Sequence, residues 1–118
     1  MKNLKRGMVI DVQLDPTLGA EKRKTRPCIV VTNDDYNARS PVIQVVPVTA
    51  WSEKKSRIIT NIEIDVSAEN GLTKKSVVDC LQTRPIDYRH RMVGVRGKVD
   101  ATTMRKIGKA LKLVFDLE

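Results

Sequence analysis

Apolar positions in this chain recur at every second residue through most of its length, and at helical spacing only near its end. Met8, Ile10, Val12 and Leu14 alternate with Val9, Asp11 and Gln13, the period of a half-buried strand. Asp15 and Pro16 break the run, and residues 17–26 form a polar, highly charged loop containing Gly19. Pro27 opens a β-branched stretch from Ile29 to Thr32. Asn33-Asp34-Asp35-Tyr36-Asn37 then has turn chemistry, with room for one helical turn. Residues 42–48 predict a third strand, in which Pro47 points to a sheet edge or a bulge. After a polar segment over 51–57, the most regular alternation sets Ile58, Thr60, Ile62, Ile64 and Val66 against Ile59, Asn61, Glu63 and Asp65. That predicts a fourth strand. Asn70-Gly71 marks a turn. Residues 76–82 predict a fifth strand, stopped near Pro85. Residues 92–99 predict a sixth, where Gly94 and Gly97 permit curvature or a bulge.

The period then changes. Asp100 is a plausible N-cap, and Met104, Ile107, Leu111 and Val114 follow on one helical face, with Ala110, Leu113 and Leu117 beside them. Arg105, Lys106, Lys109 and Lys112 fall elsewhere and read as a solvated face. There is no internal repeat and no linker. Short strands separated by turns and closed by one packing helix predict a mainly β protein, a small curled sheet or barrel. One end of such a sheet is suited to being covered by a second copy, so a homodimer is the default assembly.

Composition narrows the chemistry. The 118 residues fit one domain, 1–118. One Phe, one Trp and two Tyr leave the core to Val, Ile and Leu. Twenty-two Lys and Arg against fourteen Asp and Glu give a net charge of +8, a field that attracts polyanions: nucleic acid, or an acidic protein. Cys28 and Cys80 sit inside apolar runs and read as buried thiols in a reducing compartment. Without a Cys-x-x-Cys, and with a single His, neither a zinc site nor another metal or cofactor is expected. No stretch approaches the ~18 apolar residues of a membrane span. The basic N-terminus lacks the apolar core of a signal peptide, so a cytoplasmic location is expected.

The loop and the strand ends carry more than composition does. Asp15-Pro16-Thr17-Leu18-Gly19-Ala20-Glu21-Lys22-Arg23-Lys24-Thr25-Arg26-Pro27 precedes Ile29-Val30-Val31-Thr32-Asn33. Val46-Pro47-Val48-Thr49, Gly71-Leu72, Ser76 and Leu81-Gln82-Thr83-Arg84-Pro85-Ile86-Asp87 follow in order. In that order and spacing, over nearly the whole chain, the sequence resembles the MazF/PemK toxins. The resemblance implies an SH3-like small β-barrel with a C-terminal helix. It also implies a homodimer, metal-independent cleavage of single-stranded RNA such as messenger RNA, and a small acidic antitoxin that occupies the RNA site.

By the same resemblance Arg26 is the catalytic arginine of the Arg-Pro pair, and Thr49 is the hydroxyl residue at the end of the third strand. A guanidinium donating two parallel hydrogen bonds, and a hydroxyl donating another, suit the non-bridging oxygens of a pentacoordinate phosphorane. Glu21 matches a loop glutamate that either accepts a proton or organises the arginine; the residues alone leave both open. His90 lies away from the matched positions. Lys22, Arg23 and Lys24 make the loop denser in charge than in many relatives, which should strengthen phosphate contacts. Asn33, Gln82 and Arg84 match polar positions along the RNA groove. Against that, an Asn here equally caps a turn and a Gln equally faces solvent. Trp51 either stacks on a base or covers a barrel end.

Two other classes of function compete. A non-catalytic member of the same fold would bind nucleic acid or inhibit gyrase; the Glu…Arg-Pro…Thr set argues against it. A plain interaction domain would use its basic surface only for an acidic partner.

Overall fold

In the computed structural model, which describes residues 3–21 and 24–118, three antiparallel strands form the centre: β1 (Met8–Gln13), β2 (Thr25–Val30) and β3 (Val42–Ala50). β7 (Met92–Lys98) lies outside β1, and β5 (Ser76–Asp79) and then β4 (Asn61–Ile64) continue beyond β3. β6 (Arg84–Asp87) pairs with the first half of β3, β5 with the second half. Four helices complete the described elements: α1 (Asp34–Arg39), α2 (Glu53–Ser56), α3 (Tyr88–Arg91) and α4 (Ala101–Phe115), with a 3₁₀ turn over Cys80–Gln82.

The alternation along the central strands sorts their side chains into two apolar clusters. Val9, Ile29, Val46, Val48 and Val78 pack on one face, under Met104, Ile107 and Ala110 of α4. Ile10, Val12, Cys28, Val30, Ile43 and Val45 pack on the other, with Leu4, Leu14, Ile86 and Tyr88. β3 and the second half of β2 are covered on both sides, which is why Cys28–Val30 and most of β3 read as nearly continuous apolar runs. Asp100 caps α4, its carboxylate accepting from the Thr103 N–H at 2.7 Å, as its place before the helical pattern predicts. Ile107 is fully buried; truncating such a side chain to Ala costs about 2–5 kcal/mol. The basic residues of α4 are exposed as expected, but so are Leu113 and Leu117.

The sheet is wrapped into a barrel-like form at β7. Opposite β1 the register slips twice, between Val9 and Ile10 and between Asp11 and Val12, so β7 bulges and curls where its glycines allow. Across the opening, the loop after β4 meets β7. The Lys98 N–H donates to Glu69 O at 2.8 Å, and a Cβ on Gly97 would stand 1.9 Å from that same oxygen. Gly71 takes φ +67 and lies so close to Arg96 that a Cβ would meet its carbonyl at 2.5 Å. Asn70 organises this turn, its side chain accepting from the Ser67 and Leu72 N–H groups.

Four expectations are corrected. Pro47 is in the middle of the sheet, opposite Cys28, and not at an edge. β3 changes partner from β6 to β5 between Val45 and Val48, so the missing N–H coincides with the changeover. The fourth strand covers only Asn61–Ile64; Ile58 and Ile59 lie before it in an exposed turn. The fifth strand ends at Asp79, where the 3₁₀ turn begins. The segment around Pro85, read as a strand stop, is itself strand β6. Its proline is exposed, and β6 pairs along one side only, with β3, so it tolerates the lost donor.

Candidate active site

The central antiparallel register builds the site. Cys28 opposes Pro47 across β2 and β3. Two residues further along each strand come Arg26 and Thr49, on the same face by the period of two. The Arg26 Nη1 donates to Thr49 Oγ1 at 3.4 Å, at the long end of hydrogen bonding. Thr49 is buried and Arg26 half-buried. The residues that the resemblance pairs as catalytic groups are thus cross-strand neighbours. Arg26 was assigned to the loop, but it belongs to β2, opposite Val12.

Both line a cavity of about 380 Å³ together with Lys24, Lys74, Arg96 and Ser76. Four of its described lining residues are cationic and none is acidic, so its field favours a phosphate group. Arg96 is held there by Asp11, Nε to Oδ1 at 2.7 Å, and by Gly71 O at 3.2 Å. Lys24 enters from the β1–β2 loop with φ 64, its carbonyl accepting from the Leu14 N–H at 2.9 Å.

A second, larger cavity of about 580 Å³ draws on an earlier part of that loop, lined by Leu14, Pro16, Glu21, Leu81, Gln82 and Arg84 among others. Arg84 reaches it with Nη1 donating to Leu14 O at 3.1 Å. The Gln82 amide donates to Asp79 Oδ2 at 3.2 Å and to Ala20 O at 3.4 Å. The Glu21 carboxylate accepts from the Leu18 N–H at 3.0 Å. This wall mixes apolar surface with an amide, an acid and a guanidinium, a set suited to reading base edges.

The Cys28 thiol is pushed up to about 12 by burial, and so is that of Cys80. Both are protonated near neutrality and poor nucleophiles. Among the described residues no group of three or more His, Cys, Asp or Glu side chains is gathered to share a metal ion. None of the described helices is long and apolar enough to cross a membrane.

The profile of the PemK-like, MazF-like toxins of type II toxin-antitoxin systems matches residues 5–115. The chain belongs to this family. It is 34% identical over 114 residues to the endoribonuclease EndoA of Bacillus subtilis, covering 97% of this chain and 96% of the relative. It is 31% identical over 105 residues to the endoribonuclease PemK of Escherichia coli, covering 89% and 77%. Its fold matches the crystal structure of MazF from Deinococcus radiodurans with TM-score 0.82, at 19% identity and 97% coverage of both chains. A mycobacterial endoribonuclease solved with its cognate antitoxin matches with TM-score 0.77, at 21% identity, covering 98% and 97%.

Within this toxin fold the remaining expected residues separate. Gln82, Arg84 and Glu21 share the larger cavity. Glu21 is therefore placed with the mixed wall, not beside the Arg26–Thr49 pair. Asn33 lies outside the lining of both cavities; its side chain caps α1, accepting from the Tyr36 N–H at 3.1 Å, the turn-capping alternative. Trp51 follows Thr49 by two residues, and its indole N–H donates to Glu63. Lys75 Nζ sits 4.9 Å from its ring centroid. Lys22 and Arg23 lie outside the described residues. Exposed His90 is on α3, among the lining of neither cavity.

Sequence reasoning missed three cations: Lys74 and Arg96, which line the smaller cavity, and Lys55, whose ammonium donates to Thr49 Oγ1 at 3.2 Å. Arg96 carried a faint signal, a charge between two glycines in a strand. Lys55 and Lys74 carried none, because each lies in a polar segment where lysine is unremarkable.

Proposed function

We propose that this toxin is an endoribonuclease that cleaves single-stranded RNA, messenger RNA included, at short sequences and without a metal. It acts as a homodimer in the cytoplasm and is held inactive by an acidic antitoxin. The observation that carries this reading is the Arg26–Thr49 cross-strand pair at the wall of a cavity whose charged lining residues are all cationic, in a chain whose relatives are endoribonucleases. The complex of a neighbouring fold with its antitoxin supports the partner.

In this reading the scissile phosphate occupies the basic cavity. The adjacent 2′-OH attacks phosphorus and gives up its proton to water. The bond from phosphorus to the 5′ oxygen breaks, and that oxygen takes up a proton. The products are a 2′,3′-cyclic phosphate and a 5′-hydroxyl. Charge growing on the non-bridging oxygens is met by the Arg26 guanidinium and the Thr49 hydroxyl, donors fixed before the reaction begins. Arg26 stays protonated and does not serve as the base. Glu21 and Gln82, with Arg84, hold flanking nucleotides in the larger cavity; Lys22, Arg23 and Lys24 add phosphate contacts from the loop.

Incubating the purified protein with a long unstructured RNA in EDTA, then mapping the ends, tests the reading. Cuts at a shared short sequence with 5′-hydroxyl ends are expected. Intact RNA with tight, salt-sensitive binding would replace the nuclease by the non-catalytic reading.

A further inference from the structure

Lys55 lies on α2, the short helix between β3 and β4. Its ammonium turns back toward the end of β3, donating to Thr49 Oγ1 at 3.2 Å and to Ala50 O at 3.2 Å. The backbone beneath it is held at both polar groups. Its N–H donates to the Ser52 hydroxyl at 3.1 Å, the N-cap of α2, and its carbonyl accepts from Asn61 Nδ2 at 3.1 Å. A four-residue helix pinned this way is a bracket for one side chain.

The consequence lies in the donor arithmetic of Thr49. A hydroxyl oxygen has two lone pairs and one proton. Ammonium and guanidinium only donate, so Lys55 and Arg26 both approach Oγ1 as donors. With both lone pairs engaged, the proton occupies the remaining direction and is available to an acceptor in the basic cavity that Thr49 lines. We propose that Lys55 is the positioning residue of Thr49. It fixes the hydroxyl as a donor to the phosphate oxygen and polarises it in that sense. This rests on the nuclease reading, in which Thr49 donates to the reacting phosphate.

A lysine that merely bound phosphate would act on RNA affinity and its salt dependence. One that orients Thr49 acts on the chemical step and only through Thr49. The test is a double-mutant cycle on an RNA carrying a mapped cut site, with Lys55→Met, Thr49→Ala and the pair, read as kcat and KM. Lys55→Met should lower kcat about tenfold to thirtyfold while moving KM less than about threefold. Lys55→Arg should recover part of the loss. In the Thr49→Ala background, Lys55→Met should cost less than about threefold, because the hydroxyl it serves is gone. A loss of the same factor in both backgrounds, a change confined to KM and its salt slope, or wild-type kcat in Lys55→Met would each overturn the inference. Thermal unfolding of each variant guards against a fold defect. Absence of cleavage by the wild-type protein would instead sink the nuclease reading.

Discussion

The two cavities that draw on the β1–β2 loop differ in the chemistry they present: four cations and no acid among the described lining residues of the smaller, an amide, an acid and a guanidinium beside apolar surface in the larger. The smaller takes Arg26 from β2, Thr49 and Ser76 from β3 and β5 and Arg96 from β7, with Lys24 and Lys74 added from loops. Arg26 and Thr49 face ladder partners across the sheet, Val12 and Val77, and Arg96, at a register shift opposite β1, is held instead by Asp11 and by Gly71 O. The larger takes its groups from the loop, the 3₁₀ turn and the start of β6, and its side chains are steadied by backbone carbonyls. Rigid cations suit a transition state whose charge must be met without reorganisation. Adaptable amide and apolar surface suits the recognition of bases.

That division breaks if the two walls respond alike to substitution. Arg26→Ala and Thr49→Ala should each lower kcat by roughly a hundredfold or more, as for loss of one fixed donor to an oxyanion. Circular dichroism and the unfolding midpoint should stay close to wild type, since neither side chain belongs to the apolar clusters. Wild-type rates in either variant would remove the basic cavity from the chemistry.

Effects at the larger cavity should be smaller and of another kind. Gln82→Ala and Arg84→Ala should raise KM about tenfold and relax the mapped cut sequence, with kcat moving less. Glu21→Gln belongs with them, because its carboxylate lies in that cavity and is engaged by the Leu18 N–H. A hundredfold loss in kcat, with the acid limb of the pH–rate profile removed, would instead make Glu21 the base.

The smallest effect concerns pH and not RNA. Asp34 is held below its usual value of 3.8 by the Arg6 backbone N–H and by Asn37. Asp100 is held below it by Thr103, and Asp87 is brought to about 2, chiefly by Arg89. Folded values below the unfolded ones mean that this stabilisation is complete above about pH 5 and is lost as pH falls through them. The unfolding midpoint should be flat from about pH 5 to 8 and decline between about pH 4 and 2. A midpoint unchanged at the acid end would show that these carboxylates are not coupled to folding.

Sequence alone determined the alternating strands, the terminal helix with its Asp100 cap, the buried thiols, the basic charge and the family. These depend on local period, on hydrogen-bond geometry within a few residues, or on an ordered set of motifs, and all of these can be read along one chain. Tertiary structure decided what depends on register. β6 was hidden because its strand pairing outweighs a local proline signal. Pro47 became central because two strands share one edge of β3. Ile58 and Ile59 continued the period of two, but no pairing extends to them. Arg26 and Thr49 are 23 positions apart and became neighbours only through an antiparallel pairing, while Glu21, close to Arg26 in sequence, lines the other cavity. A side chain's type and spacing fix which chemistry is available to it. Which groups it reaches is set by backbone pairing across the sheet, and that information is spread over many residues at once.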